Sequence, residues 1–455
     1  MIGYLFTYLL LAIGTSFGWI RPFVGLMVYW CFAVLRPPFL WFWAFDYYNH
    51  PRLSFYVGMS TLAGWAMLGM GDWKGLKGAR LAITGLVGYV VIGVLTTNAY
   101  SVWPDYSWGV LDTQIKIALM ALVTMTIVRD PRRIMIFCWV LLASLGYLAY
   151  TLNEWYRINP MYLHNNGFGA IDNNGVGMIM VMIVPLAFFM GVYDKRWWVR
   201  LLCFFSAACA IHVILFSFSR GSQLGLCMVG AFIFLWAMLK LPRKMLTFSL
   251  ALIFVGITLR LAGDGVRERF MSIFAEDLDA SAESRFSTWR AAWECIKEHP
   301  LGVGPRNFGA YATQYGLSAG KAVHNLYLQT GADYGIPGLI CLMMFYGSTF
   351  VNTFRMGFNP VARRLVWPFF ISVAVCTSLG GFLVCSTFIG MESVEVGFMI
   401  SLLGLVSVAY VNRVSAANPI EALNAIPELK DVPLKSGNDE GEPWPERQGA
   451  RPAWS

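Results

Sequence analysis

The sequence predicts an all-α polytopic membrane protein with about twelve transmembrane helices. Of its 455 residues, 57% are hydrophobic and only 13% are charged, whereas soluble domains carry about 25% charged residues. Apolar runs of about 20 residues recur along the chain, and each is long enough to cross a bilayer core of about 30 Å as a helix. The connectors between these runs alternate between basic and non-basic. Together these patterns predict a helix bundle with one large loop on its external side.

The first apolar run, MIGYLFTYLLLAIG, is expected to stay in the protein as a helix. It has no basic segment before it and no small-residue cleavage site after it, so it does not indicate a signal peptide. Arg21-Pro22 and Arg36-Pro37-Pro38 interrupt the first 45 residues, which therefore form one broken crossing or two. Eleven further crossings are predicted after residue 52.

The distribution of lysine and arginine predicts the topology. Lysine and arginine are concentrated in every second connector, at 71–80, 129–133, 194–200, 240–244 and 355–364. The positive-inside rule places these connectors and the C-terminus in the cytoplasm, and the intervening connectors outside. Because the net charge of +8 resides largely in such loops, it does not indicate a nucleic-acid partner.

The predicted organisation has four parts. N-terminal transmembrane helices occupy residues 1–262, and a large external loop containing an amphipathic helix follows at 263–332. C-terminal transmembrane helices occupy 333–413. The segment 414–455 is rich in proline, glycine and charge, which is typical of a disordered tail, and it is expected in the cytoplasm.

The polar residues within the apolar runs are predicted to lie at a similar depth in the membrane. No acidic residue lies in the middle of a confident span, which argues against an ion-coupled transporter. The exceptions map near the external helix ends; they are Lys116, His212, Arg220, Arg260, Asp333, Glu392 and Glu395. Each alone is typical of a helix end, but their common level suggests a polar site at the external membrane surface.

Arg220 is the most distinctive of these residues. The stretch FSFSRGSQLG places it between two apolar runs, at the start of a new helix. The free N–H groups and partial positive charge of a helix N-terminus favour anions, so Arg220 is placed to help hold a phosphate. A turn arginine without a ligand is the equal alternative.

The external segment 279–308 predicts a helix that ends at His299-Pro300. Arg285, Trp289 and Trp293 are spaced by four and share one face of it, which suits a helix lying on the membrane surface. The following GVGPRNF is interpreted as a structural turn, because a lone GxG is weak evidence for phosphate binding.

No metal site or cofactor is predicted. The nine cysteines form no CxxC pair, and eight of them lie in apolar runs. Asp277-Leu278-Asp279 has the DxD pattern that holds a divalent cation in many glycosyltransferases. An acidic segment that caps the following helix is the preferred interpretation.

Three motifs in order resemble the bacterial O-antigen ligase and polymerase superfamily: FSRGSQLG, then SRFSTWRAAW with HPLGVGPRNF, then HNLYLQTGADYGIPGL. The resemblance covers roughly residues 165 to 350 and implies a GT-C-like membrane glycosyltransferase with one large periplasmic loop. RPFVGLMVYW (21–30) and GAIDNNGVGMIMVMIVPLA (169–187) look closest to the branch of exosortase-associated O-glycosylation ligases.

The resemblance implies a reaction in the bacterial inner membrane, with the active site facing the periplasm. A glycan passes from undecaprenyl pyrophosphate to an acceptor hydroxyl, such as a lipid A-core sugar, with inversion and without a metal. His324 matches the family's histidine, a general base, while Arg220 and Arg285 match arginines that hold the pyrophosphate. Asn325, Arg290 and Arg306 are secondary candidates, and membrane lipid is a further expected partner.

Other functions remain open at this point. A glycan polymerase, or a transferase acting on protein hydroxyls, has the same donor chemistry and differs only in the acceptor. A transporter of lipid-linked sugars is a less favoured alternative, because neither an inverted repeat nor midplane charges are seen. His299 is interpreted as a helix end and His212 as a packing residue, whereas His50 and His164 lie in external connectors without a motif.

Overall fold

The computed structural model describes residues 2–45, 52–73, 76–240, 280–390 and 395–417, with three single positions between 241 and 279. Within these ranges the named secondary-structure elements are all helices, which confirms the predicted all-α class. The longer helices are α1 (Ile2–Gly18), α2 (Pro22–Leu35), α4 (Leu53–Met67), α5 (Arg80–Tyr100), α6 (Pro104–Ile127), α7 (Pro131–Ile158), α9 (Asn173–Tyr193), α10 (Trp197–Phe216), α11 (Arg220–Lys240), α12 (Ala280–Glu298), α14 (Leu326–Met356), α16 (Trp367–Cys385) and α17 (Glu395–Ala416). Short helices are α3 (Pro37–Leu40), α8 (Tyr162–Asn166), α13 (Phe308–Tyr311) and α15 (Pro360–Leu365), with 3₁₀ turns at Leu76–Ala79 and Ala312–Tyr315.

Nine helices of the described ranges are long and apolar enough to cross a membrane, which confirms a multi-pass membrane protein. They are α5, α6, α7, α9, α10, α11, α14, α16 and α17. Several predicted features lie outside the described residues: most of the basic connector 240–244, the apolar run after it, the DxD segment, and nearly all of the tail.

The first 45 residues contain two longer apolar helices, α1 and α2, and the short α3; α1 and α2 are shorter than the nine candidate spans. α1 and α2 are separated at Arg21 and pack against each other and against α4. A Cβ at Gly64 of α4 would lie 2.2 Å from the carbonyl oxygen of Gly18, so only glycine permits this close approach. The end of α1 therefore meets the end of α4, and α2 runs back in the opposite direction.

α9, α16 and α17 form the centre of the bundle. Their side chains are buried on nearly all sides, as expected of helices that are apolar all round. α11 packs closely on α16, because a Cβ at Gly225 would lie 2.3 Å from the Cys385 sulfur. Small residues of this kind let membrane helices approach one another.

The bundle has two chemically different ends. The basic end contains the connectors 71–80, 129–133 and 355–364, and here the Arg413 guanidinium donates to the Arg129 carbonyl (2.5 Å). At the opposite end, which we call the site end, Arg36 forms an ion pair with Glu395 (2.8 Å). The arrangement agrees with the predicted alternation of the connectors.

α14 is broken at Gly335, whose φ of 70° and ψ of −178° are not helical. Pro337 follows, and the segment 300–304 inserts its backbone into the break. The amides of Val303 and Gly304 donate to the carbonyls of residues 332 and 333 (3.0 and 2.8 Å), and the Ile336 amide donates to the Pro300 carbonyl (2.9 Å). The GVGP stretch thus satisfies backbone groups that the break would otherwise leave unpaired.

Candidate functional site

His324 lies in the turn immediately before α14, and this turn is tightly held. The Val323 carbonyl accepts hydrogen bonds from Trp289 Nε1 (3.1 Å) and Thr288 Oγ1 (3.3 Å) of α12. The Val323 amide donates to Gln329 Oε1 (3.0 Å) on the first turn of α14. The backbone of His324 itself is left-handed, with φ of 53°, an unfavourable conformation for a residue with a side chain. The peptide before His324 is therefore clamped between two helices while its imidazole stays exposed.

The fully buried carboxylate of Asp333 supports this turn through Gln329. Gln329 Nε2 donates to Asp333 Oδ2 (2.6 Å), which also accepts from the Arg306 amide (3.0 Å). Asp333 Oδ1 accepts from the Phe308 amide (2.8 Å). Asp333 thus joins the loop at 306–308 to the first turns of α14, and a network that is satisfied in this way rigidifies its members.

Asn325 begins α14 as its N-cap. Its side-chain oxygen accepts from the amides of Tyr327 and Leu328, both at 3.0 Å. The Leu326 amide donates to the Ser386 carbonyl (2.8 Å), which attaches the helix start to the end of α16. Asn325 therefore has a structural task that orients the neighbouring His324.

The surroundings of His324 lower its pKa below the usual 6.5. Desolvation by surrounding atoms is the largest cause, followed by the positive charge of Arg285; Asp172 raises the pKa, and Lys321 lowers it slightly. The imidazole is therefore neutral at neutral pH and able to accept a proton. The structure thus brings two of the predicted residues together, since the charge of Arg285 acts on the His324 imidazole.

Arg285 lies on the first turns of α12 and is half-buried. Its carbonyl accepts from Thr288 Oγ1 (2.8 Å), whose hydroxyl also reaches Val323. We predicted that Arg285, Trp289 and Trp293 form one stripe on the membrane surface. In the structure Trp293 is exposed, but Trp289 is turned toward the His324 loop because its indole N–H has a buried carbonyl partner there. Trp293 therefore lies at the surface, whereas Trp289 belongs to the site.

Arg220 is the first residue of α11, at the same end of the bundle. The preceding turn is held by Asn173, whose Nδ2 donates to the Ser217 carbonyl (2.8 Å), and Ser219 Oγ accepts from the Ser222 amide (3.4 Å) as an N-cap. Phe218 has a φ of 54°, so the chain reverses sharply just before the helix begins. Arg220 is half-buried at this N-terminus.

Phe388 connects the Arg220 turn with α12. It lies in the loop after α16, where a Cβ at Gly221 would be 2.9 Å from its Cβ. Its ring centroid is 6.1 Å from that of Trp289, the residue that holds the His324 turn. In the same loop, a Cβ at Gly390 would lie 3.6 Å from the His324 amide nitrogen. Three motifs that are far apart in the sequence thus meet around one loop.

The secondary candidates are distributed differently. Arg290 is exposed on α12, and Arg306 is exposed in a turn with a φ of 57°, where its amide donates to Asp333. Asn325 acts through its cap. Among the described residues, none of these three is a group that shifts the pKa of His324, whereas Arg285 is.

Sequence reasoning missed two residues of this region. Asp172 caps α9 by accepting from the Gly175 amide (2.8 Å), and its charge acts on His324. Gln223 lies one turn after Arg220 on α11 and is buried, yet neither its Nε2 nor its Oε1 has a hydrogen-bond partner among the described residues. The DNNG sequence is a recognisable cap signal for Asp172. Gln223 carries no such signal, since a glutamine in an apolar helix looks like a surface residue.

These observations define a multi-pass, all-α membrane protein with a polar cluster at one end of the bundle. Residues 205–343 match the family described as O-Antigen ligase, about a third of the chain. The match confirms the resemblance to the O-antigen ligase superfamily and indicates a membrane enzyme of the glycosyltransferase-like ligase or polymerase type. It includes Arg220, Arg285 and His324 and does not single out the exosortase-associated branch. None of the curated proteins matches the chain.

Proposed function

We propose that the protein transfers a glycan from undecaprenyl pyrophosphate to an acceptor hydroxyl at the periplasmic face of the bacterial inner membrane. The observation that carries the proposal is the clamped turn of His324, in which a histidine of lowered pKa shares its environment with Arg285 inside the O-antigen ligase match. An accessible neutral base beside a cation suits a reaction in which a hydroxyl loses a proton and an anion departs.

The chemistry requires one bond to form and one to break. The acceptor oxygen attacks the anomeric carbon and inverts it, the bond from that carbon to the pyrophosphate oxygen breaks, and the hydroxyl proton passes to the His324 imidazole. Undecaprenyl pyrophosphate leaves with both electrons of the broken bond. Asp172, whose charge favours protonated His324, stabilises the imidazolium that forms.

Two arginines serve the departing pyrophosphate in this proposal. Arg285 acts from α12, and Arg220 acts from the N-terminus of α11, where backbone N–H groups add to its charge. Fixed positive charges of this kind take the place of a divalent cation, so the reaction is metal-independent. The buried amide of Gln223 lies one turn further along α11 and offers a donor and an acceptor for the same ligand.

A lipid A-core sugar is the proposed acceptor, and a growing glycan or a protein hydroxyl is the alternative. The donor half of the site is the same in each case, so only the product distinguishes them. Purified protein is incubated with one lipid-linked donor and each acceptor class in turn, and the products are identified by mass. Transfer to the core sugar is the expected result. Transfer only to a second donor molecule or only to protein identifies a polymerase or a protein transferase, and no transfer in any mixture contradicts the proposal.

A further inference from the structure

A second region of interest lies at the basic end of the bundle, away from His324. It is an apolar groove of about 980 Å³ between the start of α5 and the second half of α14. Its walls include Leu81, Ile340, Met343 and Val351, whose side chains are all exposed. The volume is at the upper end of the roughly 300–1,000 Å³ found for ligand sites. The groove is therefore large enough for part of a lipid.

The groove has a positive charge at one end only. Arg80 and Arg355 both line it, and both are exposed. Among the residues that the structure describes, neither guanidinium has an ion-pair partner, and Asp72, in the connector before α5, pairs with Arg129. Two positive charges that line the same groove favour binding of an anion there.

The other polar groups of the groove are already engaged. Asn352 Nδ2 donates to the Gly78 carbonyl (3.3 Å), and Ser348 Oγ donates to the Met344 carbonyl of its own helix. The long wall from Leu339 to Arg355 covers sixteen residue steps of α14, which is about 24 Å at about 1.5 Å per residue. This exceeds half of a bilayer core of about 30 Å, so an acyl chain fits along it.

From these features we infer that the groove binds an anionic phospholipid of the cytoplasmic leaflet. Arg80 and Arg355 hold the headgroup phosphate, and an acyl chain lies along the α5–α14 wall. The basic end is the cytoplasmic end by the positive-inside rule, and that leaflet presents anionic headgroups. Because the groove is at the opposite end from His324, this inference is independent of the proposed reaction.

Lipid titration followed by native mass spectrometry tests the inference on the full chain in a non-ionic detergent. Phosphatidylglycerol is expected to bind more tightly than phosphatidylcholine. Arg80→Gln with Arg355→Gln should weaken phosphatidylglycerol about 25-fold, at roughly fivefold per arginine. The matched control is Arg363→Gln with Arg364→Gln, which removes the same charge from the exposed α15 and should leave binding unchanged.

Gly347→Leu tests the apolar part of the site without changing the charge. No other atom lies within 4 Å of a Cβ at Gly347, so the new side chain enters the groove rather than the protein. It should weaken phosphatidylglycerol at least tenfold, while Gly230→Leu, an equally open helical position on α11, should not. Thermal unfolding of each variant verifies that it is folded.

Four results would overturn the inference. Equal binding of the two lipids would exclude charge recognition, and competition by inorganic phosphate at the same concentration as lipid would exclude an acyl-chain contribution. If phosphatidylglycerol binding is lost in Gly347→Leu but not in the double arginine variant, the groove binds a neutral chain, such as the polyprenyl tail of a donor. No change in any folded variant would show that the groove is not a lipid site.

Discussion

Replacement of Gln329 by leucine separates the position of His324 from the stability of the fold. Gln329 accepts from the Val323 amide (3.0 Å) and donates to Asp333 Oδ2 (2.6 Å), and it is buried. The variant leaves a buried N–H without its partner, which costs about 1–3 kcal/mol, and removes a hydrogen bond to a carboxylate worth about 1.5–3 kcal/mol. The expected loss of unfolding free energy is therefore about 2.5–6 kcal/mol, an upper estimate because water can enter.

The expected effect of this variant on turnover is larger than its effect on donor binding. Because the Val323 peptide is clamped partly by Gln329, its release lets the imidazole move, and a misplacement of about 1 Å costs on the order of 100-fold in rate. Steady-state transfer by purified protein should show kcat falling about 100-fold with little change in the KM of the donor.

Gln114→Leu is the matched control for this experiment. Gln114 is also buried, and its amide exchanges hydrogen bonds with the Tyr334 hydroxyl (2.6 and 2.9 Å) on the same helix, α14. It should lower the melting temperature to a similar degree and change kcat by less than about fivefold, because its bonds do not hold the His324 turn. Equal losses of kcat in the two variants would refute the positioning argument, as would normal kcat in a folded Gln329→Leu protein.

Three further predictions follow from the charges and the topology. Arg285→Gln should raise the pKa of His324, because a neighbouring positive charge is lost, and the acid limb of the kcat/KM profile should move to higher pH. Arg285→Lys should leave this limb in place and weaken donor use. An unmoved acid limb in Arg285→Gln would exclude the electrostatic coupling between the two residues. A cysteine placed at Gly316 should react with an impermeant reagent on intact cells, and one at Pro360 only after permeabilisation; the reverse pattern would place the site in the cytoplasm. Activity should survive EDTA and loss of the acidic side chains at 277–279; inhibition that manganese or magnesium reverses would require a metal in the site.

Local sequence patterns were sufficient for most of the helices but not for the depth of every polar residue. Lys116 was predicted near the external end of its helix, yet it lies about midway along α6 (Pro104–Ile127), and Arg260 and Glu392 lie outside the described residues. The apolar runs predict the spans because lipid requires helices of a fixed length, and the basic connectors separate the two ends of the bundle. Arg36 illustrates the limit of this reasoning. The sequence marks it only as a helix interruption, whereas its ion pair with Glu395 joins residues 359 positions apart.

The support of the candidate site was not predictable in the same way. Trp289 looks like a surface tryptophan in its helix, and only the packing of α12 on the loop before α14 shows that its indole N–H has the Val323 carbonyl as partner. Asp333 shows the same limit, because its acceptors are filled by amides of the turn at 306–308. Such contacts depend on how distant segments meet, which residue spacing within one segment does not report.

The most direct test of the central claim is the turnover of His324→Ala with saturating donor and acceptor. A general base contributes about 10²–10⁴-fold, so kcat should fall by at least 100-fold while the protein remains folded and retains the donor. His299→Ala is the control, since His299 lies in the same segment between α11 and α14, against the Tyr311 ring (5.1 Å between centroids), and is given no role in proton transfer in the proposed reaction. Near-normal kcat in His324→Ala, with an unchanged pH profile, would contradict the assignment of His324 as the base.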